Sequence, residues 1–418
     1  GHGAILTPDL PSADVVLVNT CGFIDAAKQE SINAMLEAAR LKQTGEVKAV
    51  VAVGCLVQRY KEELKSELPE VDLFLGFSDL HHLVPELASR GLIADPVAGH
   101  PGVRQFLGGP THVRYLKISE GCDHTCAFCA IPLMRGKHRS EPLERLVREA
   151  QALEAQGAKE INLVAQDLGH YGRDLGRQGP KLPELLEALL AGTSVPWFRL
   201  LYVYSAGLTQ HLVDLIAGEP RLVPYLDIPI QHASDRMLER MRRPERQATL
   251  REKLRWLRDT IPDVAIRTTC LVGFPGEREE EFRELLAFLE EAQFDRLGAF
   301  AYSPQDGTRA VQYADDVPDA AKRERLEELL EVQRAISAER LARFVGREVP
   351  VLVDRVADPL DTGSDPAGVT HVGRVAWQAD DVDGVTYLEH GGWAQEGSFV
   401  RARLTGSEDY DFRAVALA

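Results

Sequence analysis

Three cysteines, Cys122, Cys126 and Cys129, stand within eight positions in the run Gly121-Cys122-Asp123-His124-Thr125-Cys126-Ala127-Phe128-Cys129. Spacings of four and three let three thiolates wrap one face of a metal cluster from a single tight loop. A four-iron four-sulfur cubane held by three protein ligands keeps one iron open. An open iron is a reaction site, as an open position is on catalytic zinc. It can take the amino and carboxylate groups of S-adenosylmethionine, and an electron passed from the cluster then cleaves the sulfonium bond to a 5′-deoxyadenosyl radical. From the triplet alone a zinc site is also open, with His124 or His138 completing a tetrahedral set. Phe128 is either loop packing or a wall of an adenine pocket.

A second pair of cysteines ends two strand-like runs. Cys21 lies in Asn19-Thr20-Cys21-Gly22 and Cys55 in Gly54-Cys55-Leu56. Both would leave one edge of a parallel sheet, where ligands bind in such folds. They can hold a metal centre or be two small buried cysteines. Cys270 falls inside the run Ala265–Val272 and reads as a core residue. The turn Gly273-Phe274-Pro275-Gly276-Glu277 ends that run, and its glycines permit close backbone approach to a ligand. Gln166 with Asp167, Tyr204 with Ser205, and Gln231 with His232 end three further runs. They are candidates for cofactor or substrate contact, or for satisfying backbone groups. Arg135 can grip a carboxylate through two parallel hydrogen bonds. The sequence carries no Ser-His-Asp set, P-loop or HExxH motif.

The elements that must position these residues fall into three blocks. Residues 1–97 alternate apolar runs (Val15–Val18, Val47–Val53, Val71–Gly76) with the helical stretch Ala26–Arg40, which predicts a small parallel sheet with flanking helices. A Gly- and Pro-rich stretch, Val97–His112, reads as a linker. Residues 113–345 repeat a strand-helix rhythm six times. The strands are Val113–Ile118, Glu160–Ala165, Phe198–Tyr204, Tyr225–Ile230, Ala265–Val272 and Leu297–Tyr302. The helices are Glu141–Gln156, Pro183–Leu190, Thr209–Ala217, Ser234–Thr260, Glu279–Ala292 and Ala320–Phe344. Six such units predict a parallel barrel or partial barrel whose chemistry sits at the carboxyl ends of the strands. Residues 346–418 show short alternating runs, Val349–Val353, Gly368–Trp377 and Phe399–Leu404, between Asp- and Gly-rich turns, which predicts a small antiparallel barrel.

The bulk properties bound the class of protein. The 418 residues exceed one ordinary domain, and 44% are hydrophobic, enough for real cores. A net charge of −16 repels a phosphate backbone and attracts a basic protein. No apolar run approaches the roughly 18 residues of a membrane span, and no charged-then-apolar signal segment opens the chain. Six cysteines, three of them crowded, do not form a disulfide framework, which fits a reducing, cytoplasmic compartment.

Taken together, the triplet, the six β-α units and the Gly273–Glu277 turn resemble the radical S-adenosylmethionine superfamily. The string GCDHTCAFCAIPLMRGKHRS at 121–140 is similar to its methylthiotransferase branch. Within it, Ala130-Ile131-Pro132 and Met134-Arg135-Gly136 are most similar to the members that modify an aspartate of a small-subunit ribosomal protein. YLDIPIQHAS at 225–234, VGFPGE at 272–277 and YSPQDGT at 302–308 agree, so the resemblance spans essentially the whole chain. It implies a partial (βα)6 radical barrel, preceded by a doubly wound α/β domain and followed by a TRAM-like barrel. It also implies that Cys122, Cys126 and Cys129 hold a catalytic four-iron cluster that binds S-adenosylmethionine. Phe128, Gln166, Tyr204, Gln231, Gly273, Phe274, Pro275 and Gly276 would contact that cofactor. A second, auxiliary cluster would use three cysteines of the first domain. NTCGFI and VGCL match the second and third of them, Cys21 and Cys55. The first lies on an earlier β-α turn for which this chain has no residues, and the chain is expected to lack its natural beginning.

By the same resemblance, one S-adenosylmethionine methylates sulfur on the auxiliary cluster. A second yields the radical that takes hydrogen from the aspartate β-carbon, where the methylthio group is added. An electron donor and a basic ribosomal protein are the expected partners. TRAM domains often bind RNA, yet residues 346–418 hold six Arg, no Lys and thirteen Asp or Glu, a net charge of −7. That balance argues against direct nucleic-acid contact and suits a basic protein. Two other functions stay open at this point: modification of an adenosine in transfer RNA, and a non-catalytic zinc-binding interaction protein.

Overall fold

The computed structural model describes residues 9–45, 47–93, 109–358 and 365–417, together with Ile5 and Thr7. The stretch read as a linker lies outside the described residues as far as position 108. The chain divides into two compact units. The first holds residues up to 107 with the insertions 121–137 and 303–312, and the second holds the remainder.

In the first unit, strands Val15–Thr20, Ala49–Gly54 and Leu73–Leu75 form a parallel sheet in that order. The middle strand, AVVAVG, is apolar throughout and buried at every position, as a strand covered on both faces must be. Helices Asp25–Gln43 and Cys55–Glu67 cover the sheet. Met35, Leu56 and Val57 pack with Val16, Val50, Ala52 and Phe74 in its core.

The second unit begins with six parallel strands in sequential order: Val113–Lys117, Glu160–Val164, Trp197–Leu200, Leu222–Asp227, Ala265–Val272 and Arg296–Ala301. Every crossover carries helix, ending with Asp319–Ala342 after the last strand. The apolar outer faces, among them Leu116, Ile161, Leu163, Phe198, Leu226 and Ile266, pack with helix residues into one large core. One element differs from the sequence reading. The run Ser234–Thr260 is two helices, Asp235–Arg240 and Gln247–Thr260. Arg242 takes a left-handed φ of 59°, and Pro244 has no N–H to continue a helix and disfavours helical geometry in the residue before it.

The chain ends in a closed five-stranded barrel, ordered Glu348–Val356, Val369–Arg374, Thr386–Glu389, Phe412–Ala416 and Phe399–Ser407. Its joints are antiparallel except that Thr386–Glu389 runs parallel to Phe412–Ala416. The barrel sits against the starting ends of the six strands. There Glu160, fully buried, takes Arg199 at 2.7 Å from its own sheet and Arg374 at 2.6 Å from the barrel. The hydroxyls of Tyr115 and Tyr225 donate to Asp380 (3.0 Å) and Asp383 (2.7 Å). Trp197, Tyr225 and Ala265 pack with Leu352 and Ala379. The carboxyl ends of the strands, where chemistry is expected, lie at the other end of the sheet.

Candidate functional site

The first unit contains Cys21, Cys55, Cys122, Cys126 and Cys129. Thr20 and Gly54 are register partners on adjacent parallel strands, so Cys21 and Cys55 are the next residues at the same edge. The backbones meet closely there. A Cβ on Gly22 would come within 2.9 Å of Leu56 N and Cα, and one on Gly54 within 2.5 Å of the Thr20 carbonyl. Gly54 also has φ +113°, a region that L side chains rarely adopt. Ser31 Oγ accepts the Cys21 N–H at 2.9 Å and donates to the Ala27 carbonyl at 2.8 Å, fixing the loop to the first helix. Cys21 is exposed and Cys55 half-buried. Cys55 opens the helix Cys55–Glu67, which departs from helical geometry at Tyr60.

The triplet loop closes on itself. Cys122 N–H donates to the Gly136 carbonyl (3.1 Å) and Cys129 N–H to the Cys126 carbonyl (3.2 Å). Gly121, at φ +84°, passes so close to Lys137 that a Cβ would sit 2.1 Å from its carbonyl oxygen. Ala127 and Ala130 are buried, while all three cysteines are half-buried. The short helix Ile131–Arg135 follows and packs against Cys55–Glu67. Arg135 lies over the Phe77 ring at 3.6 Å from its centroid, a cation–π contact, and Phe128 is half-buried on the loop. Three half-buried cysteines on one short loop offer the three-thiolate donor set that a cubane with one open iron takes. Cys270 contrasts with them: it is wholly buried in the core, and burial pushes its thiol well above the ordinary value.

The second unit carries the strand-end residues. Asp167 is a brace, accepting N–H groups of Gly169 (2.9 Å) and Tyr204 (3.1 Å). Gln166 is half-buried, and among the described residues its buried Oε1 has no hydrogen-bond partner. Tyr204 lies under the Arg243 guanidinium at 3.8 Å, and Ser205 Oγ donates to Glu245 at 2.8 Å. Arg243 and Glu245 thus belong to this cluster. Sequence reasoning missed them because it ran one helix through Pro244, and that proline was the available signal. Gln231 is held at φ +68° by backbone bonds to Thr269 and Leu271. Tyr202, which the sequence reading did not single out, is likewise left-handed at φ +63°. Such conformations in non-glycine residues cluster at ligand sites. His232 Nδ1 accepts from Ala233 and Ser234, leaving Nε2 to face buried Glu277 at 3.4 Å.

The turn after the fifth strand is tightly knit. Gly273 (φ +69°) donates to Glu277, which also meets Arg325 at 3.3 Å. Phe274 is fully buried, edge-on to Tyr302 and Tyr313. The Pro275 carbonyl accepts Arg240 (2.6 Å), and Gly276, at φ +83°, donates to Asp316 (2.6 Å). One strand earlier, Asp227 and Arg267 are register partners with an ion pair of 3.2 Å. Burial outweighs the guanidinium there and pushes the Asp227 carboxyl up to about 6.

Comparison with known proteins agrees with this architecture. Residues 116–289 match the Radical SAM superfamily, 345–417 the TRAM domain, and 1–76 the uncharacterized protein family UPF0004. The superfamily implies a four-iron four-sulfur cluster and S-adenosylmethionine. Among solved structures, the radical S-adenosylmethionine methyltransferase TsrM from Kitasatospora setae is similar in fold. Its TM-score is 0.51 at 15% identity, covering 68% of this chain and 62% of that one. The ribosomal protein uS12 methylthiotransferase RimO of Geobacter sulfurreducens is 44% identical over 97% of this chain and 91% of its own length. The RimO proteins of Anaeromyxobacter sp. strain Fw109-5 and Desulforudis audaxviator are each 45% identical, over 98% and 100% of this chain and 87% and 91% of theirs. At that identity over nearly its whole length, the chain belongs to the RimO family of radical S-adenosylmethionine methylthiotransferases.

Proposed function

We propose that this enzyme adds a methylthio group to the β-carbon of an aspartate in ribosomal protein uS12, using two iron–sulfur clusters. Cys122, Cys126 and Cys129 hold the catalytic cluster, and Cys21 and Cys55 supply two ligands of the auxiliary one. The observation that carries the reading is the presence of both cysteine sets in one compact unit, the helix opened by Cys55 packing on the helix that follows the triplet. When bound, these groups supply an electron, a carbon-centred radical able to take an unactivated hydrogen, and a methylated sulfur.

The chain's own residues hold and orient. The closed 121–137 loop keeps three thiolates on one side of the cluster. Ser31 and Gly54 set Cys21 beside Cys55. Phe128, Gln166, Tyr204, Gln231 and the Gly273–Gly276 turn would contact S-adenosylmethionine, Gln166 Oε1 being a buried acceptor without a partner among the described residues. The terminal barrel, at −7, attracts a basic ribosomal protein in the cytoplasm, and an external donor supplies electrons. RimO relatives that act on uS12 weigh against a transfer-RNA substrate, and family membership weighs against a non-catalytic zinc protein.

The test is mass spectrometry of uS12 after anaerobic reaction with the reconstituted full natural chain. One methylthio group in place of an aspartate β-hydrogen supports the reading. Unmodified uS12 beside released 5′-deoxyadenosine overturns the substrate assignment.

A further inference from the structure

The motif YSPQDGT at 302–308 is only partly accounted for by the fold. From Ser303 to Gln312 it leaves the six-stranded unit and belongs to the cysteine-bearing one. Its contacts there run to both cysteine loops. Toward the triplet, Ala310 N–H donates to the Ala127 carbonyl at 2.8 Å, between Cys126 and Cys129. Gly307, at φ +76°, lies against Leu133, where a Cβ would meet Cδ1 at 2.8 Å.

Toward the other pair, the contact is made by Arg59, one turn into the helix that Cys55 opens. Its Nη1 donates to the Gly22 carbonyl at 2.9 Å and to Gln305 Oε1 at 3.1 Å, and its Nη2 donates to the Asp306 carbonyl at 2.8 Å. One guanidinium therefore spans the residue after Cys21 and the segment that holds the triplet loop.

The surroundings make this fork rigid. Gln305 and Thr308 are buried, and Thr308 Oγ1 donates to the Gln305 carbonyl at 2.7 Å, closing the turn. Gln305 Nε2 donates to Ser303 Oγ at 3.1 Å, which donates to Asp25 at 3.1 Å, and Asp25 holds Lys28 at 2.8 Å. The hydroxyl of Tyr60 donates to Asp306 at 2.7 Å, and its ring lies under Arg59 at 4.9 Å. Tyr60 breaks helical geometry to do so, at φ −127° and ψ 31°.

Resting on the two-cluster reading above, we propose that Arg59 is a positioning residue that ties the Cys21 loop to the Cys122–Cys129 loop through Ser303–Gln312. The chemistry needs it because the sulfur donor and the radical must meet one carbon atom in turn. A shift of about 1 Å between reacting groups can cost about a hundredfold in rate. Arginine suits the task, since its planar fork makes three directed bonds that a lysine point charge cannot reproduce.

The test uses Arg59→Gln, Arg59→Lys and Tyr60→Phe in the full natural chain, anaerobically reconstituted. In Arg59→Gln, 5′-deoxyadenosine released per methylthio group transferred should rise by about tenfold or more. Arg59→Lys should fall between Arg59→Gln and wild type, and Tyr60→Phe, which leaves the fork intact, should stay within about twofold of wild type. Hydrogen exchange at residues 19–24 and 303–312 should quicken together in Arg59→Gln. A wild-type ratio in Arg59→Gln overturns the proposal, as does loss of iron from both centres with a lowered Tm, which would mark a plain folding role. Exchange needs no turnover. A wild-type enzyme that modifies no uS12 would therefore sink the functional reading while the tether is still decided by exchange, unchanged rates refuting it.

Discussion

Thr20 and Gly54 pair across adjacent parallel strands, and each is followed by a cysteine. This register turns two residues 34 apart in the chain into neighbours at one sheet edge. A slip of one residue would offset Cys21 from Cys55 and turn one side chain to the other face of the sheet.

Gly54 guards that register. Gly54→Ala would place a Cβ 2.5 Å from the Thr20 carbonyl in a backbone at φ +113°. The expected loss is about 2 kcal/mol or more of unfolding free energy, with fewer irons retained by the first unit. Urea denaturation with iron analysis checks it, and a wild-type midpoint would refute it.

The two cysteine sets should fail differently. Cys126→Ala should abolish 5′-deoxyadenosine formation, because a cubane with two protein ligands does not persist. Cys21→Ala in the full natural chain should still form 5′-deoxyadenosine while losing methylthio transfer. Chromatography of the nucleoside beside mass spectrometry of uS12 separates the two, and equal loss of cleavage in both variants would contradict the division of labour.

The joint with the terminal barrel depends on Glu160. Burial alone would raise its carboxyl, but Arg199 and Arg374 hold it below the usual carboxylate range. A depressed folded value means that this stability is present above the unfolded pKa and disappears as pH falls through the folded one. Glu160→Gln leaves two guanidinium groups undercompensated and should cost about 3–5 kcal/mol at neutral pH. Chemical denaturation reads it, and a cost near zero would show that the pair contributes nothing.

Asp227 has the opposite sign. Burial raises its carboxyl to about 6 from 3.8, against the pull of Arg267 and with some help from Asp383. Between those values the folded chain binds the proton more tightly, so stability falls as pH rises, by at most about 1.4 kcal/mol per unit. The slope of stability against pH between pH 4 and pH 6 should be more positive in Asp227→Asn by up to that amount. Parallel curves for variant and wild type would show that Asp227 does not titrate there.

Much of this was legible in the residues. An apolar run such as Ala49–Gly54 announces a buried parallel strand because both faces of it are covered. The triplet and the Gly273–Glu277 turn carry their chemistry in local spacing. What the residues did not reveal depends on long-range partners. Thr386–Glu389 and Phe412–Ala416 are too short to show a period, and they become strands by closing the barrel against each other. Arg243, Glu245 and Arg59 look like surface charges until the fold turns them inward. The membership of 121–137 and 303–312 in the first unit follows from no local pattern.

Radical chemistry in this enzyme requires three thiolates that leave one iron of a cubane open to S-adenosylmethionine. Electron paramagnetic resonance of the reduced, anaerobically reconstituted protein, with and without S-adenosylmethionine, tests this most directly. The expected result is a four-iron signal that shifts on addition of the nucleotide and is lost in Cys126→Ala. A cluster signal indifferent to S-adenosylmethionine, or one that survives Cys126→Ala unchanged, would contradict it.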